Sequence, residues 1–302
     1  MRTEKGPEAC VAAVGMFDGV HAGHGSLVAT LVGEARRRGL PSLVLTFDRH
    51  PLEVVRPGEA PRSLCSPRER EARLLALGVD RVEFMHFTPE LREITGEEFL
   101  RRLRERYGVR ALVVGFNNHF GADRMDASGA RAAESRTGVG IVEAPPLKLA
   151  EIPAVSSTTI REALAGGDVE TASRLLGAPY SLEGEVVHGA ELGHTLGYPT
   201  ANLRPSDVRA ALPALGVYVV EADIPELGIY GRRGMTNIGR RPSVKDADGS
   251  VSIETYIFDF DGDIYGRRLR VHFLRRLRPE MKFTTLPALV SQLDADARAA
   301  RE

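Results

Sequence analysis

Cysteine is scarce in this chain: Cys10 and Cys65 are the two in 302 residues, too few for a disulfide framework. Cys10 lies in an apolar, core-like run, which fits a reducing compartment and predicts a cytoplasmic protein. Net charge is −1, so no overall basic field exists to recruit nucleic acid. No apolar run approaches the ~20 residues that span a bilayer. The N-terminus has no apolar signal-peptide core, so no membrane partner is expected. Low-complexity tracts and internal repeats are also absent. What remains is 43% hydrophobic and 27% charged, ordinary for a soluble globular protein. The length predicts about two domains, each with its own core. The arginine clusters Arg36–Arg38, Arg101–Arg106 and Arg275–Arg278 read as solvated faces. Nothing in the sequence fixes an oligomeric state.

Short apolar runs alternate with helical patterns as far as about residue 180. Strands are expected at Cys10–Val14, Ser42–Phe47, Arg81–Phe84, Ala111–Gly115 and Gly140–Glu143. Helices are expected to start near Gly23, Pro67, Gly96, Ala127, Ser157 and Asp168. This alternation predicts a parallel sheet with helices on both faces. Ligands of such sheets bind beyond the carboxyl ends of the strands. After Gly177-Ala178-Pro179 the pattern changes. Ser181–His188, Gly216–Ala222, Ile229–Asn237, Val251–Asp259 and Arg268–Phe273 read as antiparallel strands, with Asp261-Gly262 as a hairpin turn. A small barrel closed by a helix at Leu286–Ala300 is expected. The domains are therefore placed at 1–180 and 181–302.

The first loop carries the most chemistry. Gly15-Met16-Phe17-Asp18-Gly19-Val20-His21-Ala22-Gly23-His24 joins a buried strand to a helix start. A helix N-terminus offers unpaired N–H groups and a positive dipole end, a good phosphate site. Gly19 and Gly23 would let the backbone approach a ligand. His21 and His24, three apart, can face the same ligand. Neither G-x-x-x-x-G-K-[ST] nor G-x-G-x-x-G is present. No Cys pair or H-E-x-x-H supplies further zinc ligands. H-x-G-H instead resembles the signature of the nucleotidyltransferase superfamily.

Other constellations fall at the same sheet edge or in the second half. Thr46-Phe47-Asp48-Arg49-His50-Pro51 ends a strand and offers His50 as a substrate contact. Gly115–Gly121 places Asn117, Asn118 and Phe120 around a pocket suited to a planar ligand. Ser156-Ser157-Thr158-Thr159-Ile160-Arg161 supplies a helix cap, hydroxyl donors and a bidentate cation for a triphosphate. In the second half, Gly189–Gly197 leads to Thr200 and Asn202, oxygen donors of the kind magnesium prefers. Strand alternation puts Glu254 and Tyr256 on one face, Ile253 and Thr255 on the other. A strand glutamate is usually solvated; facing a pocket, it can serve as a general base.

Together these motifs resemble one family over nearly the whole length. They are GMFDGVHAGH (Gly15–His24), TFDRHP (Thr46–Pro51), VSSTTIREAL (Val155–Leu164), Gly167–Gly189, LGYPTANL (Leu196–Leu203), NIGRRPS (Asn237–Ser243) and the Glu254 strand followed by DFDGDIYGRRLRV (Asp259–Val271). The chain resembles the bacterial bifunctional riboflavin kinase/FMN adenylyltransferases, or FAD synthetases. The resemblance implies a Rossmann-like α/β nucleotidyltransferase domain followed by a riboflavin kinase barrel. It implies that ATP phosphorylates riboflavin to FMN, and that a second ATP adenylylates FMN to FAD and pyrophosphate. By similarity Glu254 is the kinase base, and Thr200 and Asn202 hold Mg2+ and phosphate. Gly193, Thr195 and Gly197 lie in the kinase phosphate loop. In the first domain His21 and His24 contact ATP phosphates within a site that includes Gly15, Phe17, Asp18, Gly19 and Gly23. Ser157, Thr158 and Arg161 hold the triphosphate, and the flavin falls to His50, Asn117, Asn118 and Phe120.

Two positions depart from the family pattern. Asn118 stands where relatives usually carry an aromatic, and His194 where they carry Arg or Lys. Two other readings share the same residues: a paralogue with the kinase alone or an altered adenylyltransferase substrate, and a flavin- or nucleotide-sensing protein without turnover. Intact Glu254, His21, His24 and Arg161 argue against the second.

Overall fold

The computed structural model describes residues 7–115, 118–145, 155–189, 197–240 and 251–302. By packing, the chain forms two units: Met1–Pro61 with Pro67–Val155, and Arg62–Ser66 with Ser156–Glu302.

The first unit is a five-stranded parallel sheet. Its strands are β1 (Cys10–Val14), β2 (Ser42–Phe47), β3 (Arg81–Met85), β4 (Val109–Val114) and β5 (Gly140–Glu143), in the order β3-β2-β1-β4-β5. The helices include α1 (Ala22–Arg38), α2 (Pro51–Val55), α3 (Pro67–Ala76), α4 (Pro89–Glu93), α5 (Gly96–Tyr107), α6 (Ala127–Ala132) and α7 (Glu134–Thr137). Strand alternation sorts the core. Val11 and Ala13 pack with Val28, Leu31 and Ala35 of α1 and Leu74 of α3. Cys10 and Ala12 pack on the other face with Phe99, Leu100 and Leu103 of α5 and Ala130 of α6. The strand order reverses between β1 and β4, so the crevice for a ligand opens beyond their carboxyl ends. The Gly15–His24 turn leaves β1 at that edge.

The second unit begins with α8 (Ser157–Gly166) and α9 (Val169–Leu176). It continues with β6 (Tyr180–Val187), β7 (Ala201–Pro205), β8 (Gly216–Ile224), β9 (Ile229–Arg240), β10 (Val251–Ile257) and β11 (Arg268–Pro279). These six strands close a barrel in the order β10-β7-β6-β11-β8-β9, every pairing antiparallel. The C-terminal helix Leu286–Arg301 covers one wall, burying Ala300 against Val217, Val219 and Met235. The composition change near Pro179 coincides with the start of β6. The packing division falls earlier, at Val155/Ser156, because α9 packs on β6 and β11.

Three expectations need correction. Asp261-Gly262 does not turn a hairpin: β10 pairs with β7 and β9, whereas β11 pairs with β6 and β8. The loop joins strands that are not neighbours, and it walls a cavity. Ala201–Pro205, missing from the expected strands, is a strand, because β6 and β10 both bond to it. Arg275–Arg278 is not a solvated face. Arg278 makes a bidentate pair with Asp296, with side chains 15% and 5% exposed. Arg276 donates to the carbonyl of Leu215, and Arg275 to that of Ala299. In the other clusters Arg37 and Arg38 pair with Glu34, and Arg101 and Arg102 with Glu97 and Glu98, at the surface as expected.

Candidate active sites

In the α/β unit the Gly15–His24 turn is held in a narrow set of conformations. Phe17, Gly19 and Val20 all have positive φ, at 48°, 80° and 46°. Phe17 and Val20 are not glycines, so the surroundings must impose that backbone. Phe17 is 2% exposed and its ring lies against Gly15. Arg73 of α3 donates to the Gly19 carbonyl at 2.8 Å. Asp18 and His21 are buried, at 4% and 6% exposure.

His21 precedes the first turn of α1, and its carbonyl accepts from His24 and Gly25. The two imidazoles stack, centroids 3.7 Å apart and planes 18° from parallel, with the Phe17 ring 5.2 Å from His24. Gly23 makes room for this stack: a Cβ there would fall 3.1 Å from the His21 ring and 3.6 Å from the Val155 carbonyl. Burial first, then His21, then Arg70, holds the His24 pKa well below its usual value, so the ring is uncharged at neutral pH. Among the described residues His24 Nδ1 is buried without a hydrogen-bond partner. No group of three or more His, Cys, Asp or Glu among the described residues is placed to hold a metal.

Beside this turn lies a cavity of about 360 Å³ at the ends of β1, β2 and β4. Phe47, Phe87, Leu91, Phe99, Asn118 and Phe120 contribute to its wall. Two aromatic pairs shape it, Phe47 with Phe87 edge-on and Phe99 with Phe120 tilted. Asn118 and Phe120 are therefore brought together on one cavity wall; Asn117 lies outside the described residues. His50 is engaged locally: its Nδ1 accepts from Leu52 and it caps α2 with Glu53, while the adjoining Pro51 lines the cavity.

In the second unit Ser156 caps α8, accepting from the Thr159 N–H at 3.2 Å. Ser157, Thr158 and Arg161 sit in the first turns of α8, Thr158 exposed and Arg161 donating to the Arg62 carbonyl.

The barrel holds another cavity, about 430 Å³, whose wall includes Thr200, Asn202, Thr255, Asp261 and Tyr265. The Phe260–Tyr265 loop closes one side. Thr255 is buried and its hydroxyl bonds that of Thr236 at 2.8 Å, whereas Glu254 is half-buried on the alternate face. In register, Glu254 lies opposite Asn202 on one side and Asn237 on the other. Residues directly opposite share a face, so Asn202, Glu254 and Asn237 form a polar row across three strands. Gly189 admits the Asn202 carboxamide, since a Cβ there would fall 2.2 Å from Nδ2. Gly197 has a φ of 79°, and Gly193, His194 and Thr195 lie outside the described residues. Sequence reasoning missed Asn237, Arg70 and Arg73; Asn237 alone had a signal, as the first residue of NIGRRPS.

The family model described as FAD synthetase matches residues 3–159, and that described as riboflavin kinase matches residues 176–302. A bifunctional riboflavin kinase/FMN adenylyltransferase from Pseudomonas fluorescens is 41% identical over 294 residues, covering 97% of this chain and 92% of that protein. The chain belongs to the bifunctional riboflavin kinase/FMN adenylyltransferase family. The Escherichia coli K12 protein of the same description is 37% identical over 297 residues, 98% of this chain and 93% of that one. A crystal structure described as a macrolide-efflux protein from Streptococcus pneumoniae matches with TM-score 0.87 and 35% identity, over 99% of this chain and 95% of that one. No helix among the described residues of the present family member is long and apolar enough to cross a membrane.

Proposed function

We propose that this protein makes FAD from riboflavin in two ATP-dependent steps, the barrel unit acting as riboflavin kinase and the α/β unit as FMN adenylyltransferase. The observation that carries this reading is the coincidence of full-length family membership with a built pocket in each unit.

In the kinase step the riboflavin 5′-hydroxyl attacks the γ-phosphorus of ATP, and ADP leaves. Glu254 is assigned by family resemblance as the base that takes the hydroxyl proton; its register partner Asn202 lines the barrel cavity. Thr200 and Asn202 line that cavity, and their hydroxyl and carboxamide groups are a donor set that would suit Mg2+. When bound, the ion neutralises phosphate charge. Gly193, Thr195 and Gly197 are assigned to the phosphate loop by family resemblance.

In the second step an FMN phosphate oxygen attacks the α-phosphorus of ATP, and pyrophosphate leaves. The nucleophile is already anionic, so this step needs positioning and charge stabilisation rather than a strong base. His21 and His24 at the α1 N-terminus face the phosphates, where helix N–H groups and dipole favour an anion. Ser157, Thr158 and Arg161 are assigned to the triphosphate by family resemblance. The phenylalanine-lined cavity takes the isoalloxazine ring. Two buried cysteines, neither in a disulfide, support a reducing, cytoplasmic setting.

The test is product analysis. Protein incubated with riboflavin, ATP and Mg2+ yields FMN and then FAD. FMN alone would leave the kinase, and bound but unchanged riboflavin would leave neither activity.

A further inference from the structure

Arg70 of α3 is 3% exposed, yet among the described residues no carboxylate pairs with it. Its Nη1 donates to Thr46 Oγ1 at 3.1 Å and to the Phe47 carbonyl at 2.8 Å. Thr46, itself fully buried, donates its hydroxyl to the Met16 carbonyl at 3.0 Å. The relay therefore runs from α3, through the end of β2, into the Gly15–His24 turn. Arg70 Nε is buried with no hydrogen-bond partner among the described residues. A buried guanidinium without a carboxylate is costly. Within a phosphate-binding edge, that cost fits a fixed positive charge completed by an anionic ligand.

We propose that Arg70 is a positioning residue for adenylyl transfer: it fixes the Gly15–His24 turn through Thr46 and sets the positive field in which His24 meets the nucleotide phosphates. This rests on the adenylyltransferase reading of the α/β unit. Among the described residues, the charged or titratable groups that act on His24 are His21, at the same helix start, and Arg70, on α3. Both disfavour the imidazolium, as burial does. Arg70 thereby adds to burial and His21 in keeping His24 an uncharged ring, and it contributes a permanent charge of its own, which proton concentration does not alter. Arg73, one turn along α3, holds the next part of the same loop at the Gly19 carbonyl.

The experiment measures FAD formation from FMN and ATP against pH in the full chain, with riboflavin phosphorylation as the internal control. Arg70→Gln is expected to lower kcat roughly tenfold or more and to move the acid limb of the profile upward, because His24 regains basicity. Thr46→Val cuts the relay but keeps the charge; it should lower kcat and leave the limb in place. Arg70→Lys should likewise keep the limb while losing the two-acceptor geometry. Kinase activity stays at the wild-type level in all three. Superimposable profiles for wild type and Arg70→Gln overturn the proposal, as does an equal loss in all three variants with no shift of the limb. Should Arg70→Gln fail to fold, Arg70→Met, which refills the buried volume, is measured in its place with the same two outcomes. Wild-type protein that makes no FAD would defeat the functional reading instead. The His24 imidazole titration, followed by NMR in wild type and Arg70→Gln, still decides whether Arg70 sets the field at His24.

Discussion

The imidazole rings of His21 and His24 stack 3.7 Å apart at the start of α1, against a buried Phe17. One packed unit, rather than two independent side chains, thus faces the carboxyl edge of the sheet. Removing His24 takes away the ring that stacks on His21 and, on the proposed reading, one preorganised donor. His24→Ala is expected to lower FAD formation by roughly two to three orders of magnitude. Riboflavin phosphorylation should not change, and unaltered adenylyl transfer would return His24 to a packing role.

The depressed pKa of His24 has a signed consequence for stability. Its usual value is 6.5, and the folded value lies well below that, mainly through burial. The uncharged ring is therefore the form the fold prefers. Its stabilisation is complete above pH ~6.5 and is lost as pH falls below it toward the folded value. The thermal midpoint of the full chain should decline below that pH, and His24→Asn should flatten the decline. An acid dependence identical in the variant would remove His24 as a source.

Arg278 and Asp296 form a bidentate pair between β11 and the C-terminal helix, almost out of solvent. Asp296→Ala leaves an uncompensated buried guanidinium and should destabilise the barrel by about 3–5 kcal/mol. Denaturant unfolding reads this directly. A change below about 1 kcal/mol would mean that water reaches Arg278 in the variant.

Much of this architecture is legible in the sequence. Cys10–Val14, Ser42–Phe47 and Gly140–Glu143 are strands at the bounds their apolar runs suggest. Glu254 lies on the face that simple alternation assigns it. What escaped depends on contacts distant in sequence. β7 is short, polar and ends at Pro205; it is a strand because β6 and β10 flank it. Asp261-Gly262 carries a hairpin signal, but the barrel order separates the strands on either side. Arg70 sits in Pro67-Arg68-Glu69-Arg70-Glu71, a run whose charge predicts solvation, and helical phase alone turns that one arginine inward.

The phenylalanine-lined cavity offers a test of its proposed flavin role. Asn118 packs near Gly115, and four phenylalanines already line the cavity. Phe120→Ala should weaken FMN binding roughly threefold to tenfold, the scale of a lost aromatic contact of about 0.5–1.5 kcal/mol. Riboflavin affinity at the barrel, measured in parallel, should hold. Unchanged FMN affinity would move the ring out of this cavity.

The central claim is that two chemistries occupy two units of one chain, and Glu254→Gln tests it most directly. The variant is given riboflavin with ATP in one reaction and FMN with ATP in another, and the products of each are separated. The account predicts no FMN from riboflavin and wild-type FAD formation from FMN. Loss of both activities in a folded variant, or retention of both, would contradict it.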